Sequence, residues 1–200
     1  MSGRLSSFVL IVLLAGCSPA PQPAPKTTPP ASPAAAPPVG PVAPPSTDAA
    51  MIASALSAAP EAVSKDATVV AMDAKMQMRT LKTGTNGWTC MPDGPSPGVD
   101  PMCVDQNGMA WVDALMNKKD PPKGKMGFGY MLAGGSDASN TDPFATAPAA
   151  GGKWVDTGPH VMVFNIGDAF AGYPTTAANT KVPYVMFPGT PYAHLMLPVK

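Results

Sequence analysis

Apolar and polar positions alternate over short stretches through most of this chain, and two segments near its start break that habit. The first is the apolar run Phe8-Val9-Leu10-Ile11-Val12-Leu13-Leu14. It falls well short of the roughly 20 residues a bilayer-spanning helix needs. With Arg4 before it and the small residues Ala15 and Gly16 after it, residues 1–16 read as a cleavable export signal. The second is residues 18–48, where 12 of 31 positions are proline and most others are Ala, Ser, Thr or Val. Proline fixes φ and removes an amide donor, so this tract is predicted to be an extended, disordered tether. Its upper reach is about 95 Å at about 3.1 Å per residue.

From residue 49 to 200 the pattern predicts one domain. Asp48 is placed to cap a helix over 49–59, with Ile52, Ala55 and Leu56 on one face and Pro60 as its stop. Residues 68–72 form an apolar run of strand type. Over 75–82, Met76 and Met78 alternate with Gln77 and Arg79, which predicts a hairpin turning at Asp73-Ala74. A strand over 88–91 follows Gly84-Thr85-Asn86-Gly87. Asp105 caps the clearest helix, with Trp111, Val112, Leu115 and Met116 as its core-facing stripe, Lys118 and Lys119 in its last turn and Pro121-Pro122 beyond. Strands are predicted over 127–132, 161–166, 184–187 and 194–197, and one helical turn over 168–173. Strands outnumber helices, so the predicted class is α+β: a single domain with a mostly antiparallel sheet, one or two short helices and one disulfide.

About 150 residues suffice to bury a substantial core. With the leader and its Arg4 removed, 12 basic residues face 13 acidic ones, and no basic cluster exists, so nucleic acid is not an expected partner. The domain has one glutamate, Glu61, which excludes paired-glutamate chemistry and a zinc-protease H-E-x-x-H. Neither a phosphate-binding glycine loop nor the G-x-S-x-G of a serine-hydrolase elbow is expected, and no catalytic residue is assigned.

The three cysteines divide into one and two. Leu14-Ala15-Gly16-Cys17 resembles the lipobox of bacterial lipoproteins, in which the cysteine thiol is alkylated with diacylglycerol and becomes the first residue of the mature chain. The resemblance implies lipidation of Cys17, a membrane partner reached through that lipid, and a place in the cell envelope. Acyl chains contribute roughly 0.8 kcal/mol per buried methylene, enough to anchor without a spanning helix. Ser18, where an Asp would retain such a protein at the inner membrane, points to the outer membrane, facing the periplasm or the surface. Cys90 and Cys103 bracket a stretch rich in proline and glycine, "CMPDGPSPGVDPMC". In an oxidising compartment they are expected to form a structural disulfide, worth roughly 3 kcal/mol on chain-entropy grounds. Twelve intervening residues do not suit a redox motif.

Two histidines share one context: "GPHVMVF" carries His160 and Met162, "YAHLMLP" carries His194 and Met196. In a strand, residues i and i+2 point the same way, so each pair presents imidazole beside thioether, a ligand set that suits Cu(I). The His-x-Met element resembles part of the motif of periplasmic copper chaperones. The domain holds every methionine but Met1 of the chain's 14, including Met72, Met76 and Met78. Against this stands the ordinary use of methionine as a filler of irregular cores, which needs no cofactor. Asp137, Ser139, Asn140 and Asp142 bring oxygen ligands to alternate positions, as a Ca²⁺ loop does, or serve as Asx and Ser/Thr turns.

Residues 68–199 resemble a family of exported bacterial proteins of unassigned activity, through "NGWTCMPD", "GYMLAGGSDASNTDPFAT", "DTGPHVM" and "PYVMFPGTPYAHLM". The resemblance implies a shared domain and carries no activity. Three readings remain open: a non-catalytic binding or structural module with an envelope protein partner; a metal-binding envelope protein, with Cu(I) on the two His-x-Met pairs; and a small enzyme using His160 or His194 with an aspartate such as Asp142.

Overall fold

The computed structural model describes residues 43–73 and 77–199. The export signal, Cys17, most of the tether, and Ala74, Lys75 and Met76 of the predicted hairpin lie outside the described residues.

The chain opens with helix α1 (Asp48–Leu56). Its N-cap is Thr47 rather than Asp48: the Thr47 hydroxyl accepts from the Ala50 amide at 3.2 Å, while Asp48, one residue inside, pairs with Arg79 at 2.5 and 3.1 Å. A one-turn helix, α2 (Glu61–Ser64), follows Pro60. Then come strands β1 (Thr68–Met72) and β2 (Met78–Lys82), paired as an antiparallel hairpin. Met72 lies opposite Met78, and the Asp73 carboxylate accepts from the Gln77 amide at 2.9 Å; the predicted turn at Asp73-Ala74 falls partly outside the described residues.

Strands β3 (Thr89–Met91) and β4 (Met102–Val104) form a second hairpin with Cys90 opposite Cys103, and these two are disulfide-bonded. Asp105 caps α3 (Gln106–Met116), accepting from the Gly108 amide at 2.7 Å. The predicted stripe is half right: Trp111, Val112 and Ala114 are buried, Leu115 is half-buried and Met116 is exposed. The helix also stops before the lysines. Lys118 takes a positive φ of 53°, and the Lys119 amide donates back to the Ala114 carbonyl at 2.8 Å, a left-handed closing turn that lies outside the last helical turn.

The remaining strands are β5 (Gly127–Met131), the short pair β6 (Ser136–Asp137) and β7 (Val155–Asp156), β8 (His160–Phe164), β9 (Tyr184–Met186) and β10 (His194–Pro198), with a 3₁₀ turn at Gly167–Phe170. The described residues thus hold three α-helices where one or two were expected; the extra one is the single turn α2. Eight strands make one sheet in the order β2-β1-β3-β4-β5-β8-β10-β9, antiparallel except for β1 against β3. The class is α+β, as the strand count predicted.

Strand alternation gives the sheet two faces. On one, Val69, Cys90 and Cys103 pack with Ala55, Ala58 and Ala59 from α1 and the turn after it. On the other, Val104, Met131, Met162, Phe164 and Met196 pack with Trp111 and Val112 of α3. Close approach of α3 to β5 depends on glycine at both contacts: a Cβ on Gly127 would fall 2.9 Å from the Gly108 Cα. Trp111 stacks on Phe164 at 4.5 Å between ring centres. Beside α3, whose Trp111 and Leu115 help to line it, this second face borders a cavity.

Candidate functional site

β8 and β10 run side by side with Met162 opposite Met196, Phe164 opposite His194 and His160 opposite Pro198. Directly opposed residues share a face, so both His-x-Met pairs lie on one face of the sheet. The flanking strands extend the pattern. β5 sets Met131 opposite His160, β9 sets Met186 opposite His194, and the β3–β4 hairpin adds Met91 opposite Met102. These two histidines and six methionines line a single cavity of about 350 Å³.

The register arranges them as two clusters. His160 and His194 sit four positions apart along the ladder, about 13 Å at about 3.3 Å per residue, with the Met162–Met196 pair between them. His160 therefore keeps company with Met131 across the strand and Met162 two residues on. His194 does the same with Met186 and Met196. Each imidazole has one thioether opposite and one beside it.

Both imidazoles are buried, His160 at 1 % exposure and His194 at 3 %. The His160 Nδ1 lies 2.7 Å from the Gly158 carbonyl and the His194 Nδ1 lies 3.0 Å from the Tyr192 carbonyl, in each case two residues back along the chain. A carbonyl only accepts, so Nδ1 carries the hydrogen in each neutral ring and Nε2 keeps its lone pair. The Nε2 of His160 is buried with no hydrogen-bond partner among the described residues, and so are Trp111 Nε1 and Thr157 Oγ1 on the same cavity. A buried polar atom left unpaired costs about 1–3 kcal/mol. Packing alone gives no reason to gather several of them on one cavity.

Burial holds both rings neutral. It pushes the His160 pKa down, against the pull of the Gly158 carbonyl. It pushes His194 down to about 4, against the Tyr192 carbonyl and with a smaller electrostatic contribution from His160. The polar part of the lining comes from two loops tied together by Asp100. Its carboxylate accepts from Ser96 Oγ at 2.7 Å, from the Ser136 amide at 2.5 Å and from Ser136 Oγ at 3.0 Å. Burial raises Asp100 despite these bonds. Asp137, also on the cavity, is raised to about 6 by burial, opposed by the Ser139 amide and reinforced by Asp100.

Of the other sequence candidates, the disulfide lies on the opposite face, and Cys17 is outside the described residues. Met72 and Met78 line a different cavity. Asp142 does not join the histidines: its carboxylate accepts from the Phe144 amide at 2.9 Å. Asp137 accepts from the Ser139 amide and Ser139 from those of Thr141 and Asp142, bonds of the Asx and Ser/Thr turn type, while the Asn140 Oδ1 is buried with no hydrogen-bond partner among the described residues. The aspartates that do reach the cavity are Asp100 and Asp137, and neither is hydrogen-bonded to an imidazole among the described residues.

Sequence reasoning missed Met91, Met102, Met131 and Met186, which only strand register brings to the site. The exclusion of G-x-S-x-G was wrong as well: Gly94-Pro95-Ser96-Pro97-Gly98 spells that motif. That motif requires a strand-to-helix turn. Here it lies in the β3–β4 hairpin loop, and the Ser96 hydroxyl donates to Asp100 instead of to an imidazole.

No protein-family model, curated protein or solved structure matches the chain.

Proposed function

We propose that this is a lipid-anchored envelope protein whose domain binds Cu(I), without catalysis, in the cavity walled by His160, Met162, His194 and Met196. The observation that carries the reading is a shared arrangement: each imidazole sets Nδ1 against the carbonyl two residues before it, which leaves Nε2 for a metal, and has one methionine opposite and one two residues on. A carbonyl on the far nitrogen is the usual way a protein orients an imidazole toward a metal. Neutral imidazole and soft thioether sulfur favour Cu(I) over harder ions. Among the described residues no three His, Cys, Asp or Glu side chains gather to hold a metal; the donors proposed here are imidazole nitrogen and methionine sulfur.

An enzyme reading finds less support, because each imidazole Nδ1 lies on a backbone carbonyl and, among the described residues, no carboxylate is hydrogen-bonded to either ring. Anchorage rests on the lipobox at Cys17 and the tether; among the described residues no helix is long and apolar enough to cross a membrane.

A competition titration of the full chain against a Cu(I)-specific chelator tests the function. Wild type is expected to bind tighter than micromolar, and the His160→Ala/His194→Ala variant to lose that binding. Wild type that fails to compete at micromolar affinity overturns it. For the anchor, Cys17→Ala is expected to move the chain from the membrane to the soluble envelope fraction, and retention in the membrane contradicts lipidation.

A further inference from the structure

We infer that a second, surface cluster of methionines captures Cu(I) and passes it to the interior cavity through Met91; this rests on the reading of that cavity as a Cu(I) site. The cluster lines a separate cavity of about 320 Å³, which holds Met51, Met72, Met78, Met91 and Met116. They come from five elements, and register sets Met72 directly opposite Met78. Three of them are open to solvent: Met72 at 36 %, Met78 at 38 % and Met116 at 43 % exposure. A single exposed apolar side chain is ordinary. Several thioethers converging on one exposed hollow, with no histidine among them, make a soft-ion site of lower affinity than the imidazole-bearing one inside.

The two cavities share a wall. Met91, Pro92 and Gly94 line both, and Met91 is the one shared residue with a metal-binding atom. Its cross-strand partner Met102 lines the interior cavity alone. The path therefore runs from exposed sulfur through Met91 to Met102 and the histidine clusters, with affinity rising inward. Each step is ligand exchange: a copper–sulfur bond to one thioether breaks as a bond to the next forms. The metal stays Cu(I), no electron moves, and no proton leaves because a thioether carries none.

Stopped-flow loading of the full chain with Cu(I) supplied as its bicinchoninate complex tests this, comparing wild type with Met72→Leu/Met78→Leu/Met116→Leu. Leucine nearly conserves volume, and all three positions are exposed. The triple variant is expected to load at least about tenfold more slowly, with unchanged final affinity at the interior. Met91→Leu is expected to slow interior filling while leaving copper on the surface cluster. Equal loading rates in wild type and the triple variant overturn the relay and leave the interior site standing. Wild type that takes up no Cu(I) overturns the interior site itself.

Discussion

On one face of the sheet Ala55, Ala58, Ala67, Val69 and the Cys90–Cys103 disulfide are buried against one another, while on the other Met131, Met162, Met186 and Met196 border a cavity with two imidazoles. The first face uses small side chains, so helix and sheet approach closely, and a covalent link ties β3 to β4 beneath the helix. The second uses the longest flexible apolar side chain, which adapts to what it surrounds. Both are legitimate ways to fill a core, but only the second leaves unpaired polar atoms on a cavity. The difference separates a face that holds the fold from a face available for a ligand.

Opening the disulfide is expected to produce the largest loss, on the first face alone. Cys90→Ala/Cys103→Ala should lower unfolding free energy by about 3 kcal/mol, read from denaturant melts. Cu(I) affinity at the histidine clusters, on other strands, should change little; a collapse of that affinity would show that the faces are not independent.

The second face should respond to pH instead. His194, held down to about 4, favours the neutral ring in the fold, so its contribution is present above the ordinary value of 6.5 and is lost as pH falls toward 4. His160, also lowered, acts in the same direction. Asp137, raised to about 6, works oppositely: its contribution is full below the ordinary value of 3.8 and is lost as pH rises through 6. Asp100, raised by the same burial, acts with it. The two sets offset each other in wild type between pH 4 and 6. Asp137→Asn removes the larger carboxylate contribution, so its stability should fall from pH 7 to 4.5 more steeply than that of wild type, by on the order of 2 kcal/mol. Parallel pH profiles would contradict the burial argument.

The smallest effect on stability should come with the largest effect on binding. Met162→Leu/Met196→Leu exchanges side chains of similar volume and should cost less than about 1.5 kcal/mol. Its Cu(I) affinity should drop about tenfold or more, since leucine offers no donor. A variant that binds Cu(I) as wild type does would return these methionines to the role of filler.

Much of the sheet was legible because alternation is a local signal: β1, β5, β8, β9 and β10 fall within a residue or two of where the pattern put them. β4 was not, because three residues between Pro101 and Asp105 are too few to show a period, and the two-residue strands β6 and β7 show none. Thr47 took the cap from Asp48 because Arg79, distant in sequence, pairs with the aspartate. At the site, His160-x-Met162 and His194-x-Met196 were readable as i, i+2 pairs. Their convergence on one cavity was not, nor was the arrival of Met131 and Met186, because register between strands 29 and 8 residues apart is set by the whole sheet. The same alternation that marked Met72 and Met78 gave no hint that they belong to a different cavity.

The central claim is best tested by copper K-edge X-ray absorption on the Cu(I)-loaded full chain. The account predicts both imidazole nitrogen and thioether sulfur among the nearest neighbours of copper, with the nitrogen signal lost in His160→Ala/His194→Ala. A spectrum without sulfur, or one unchanged by removal of both histidines, would contradict it.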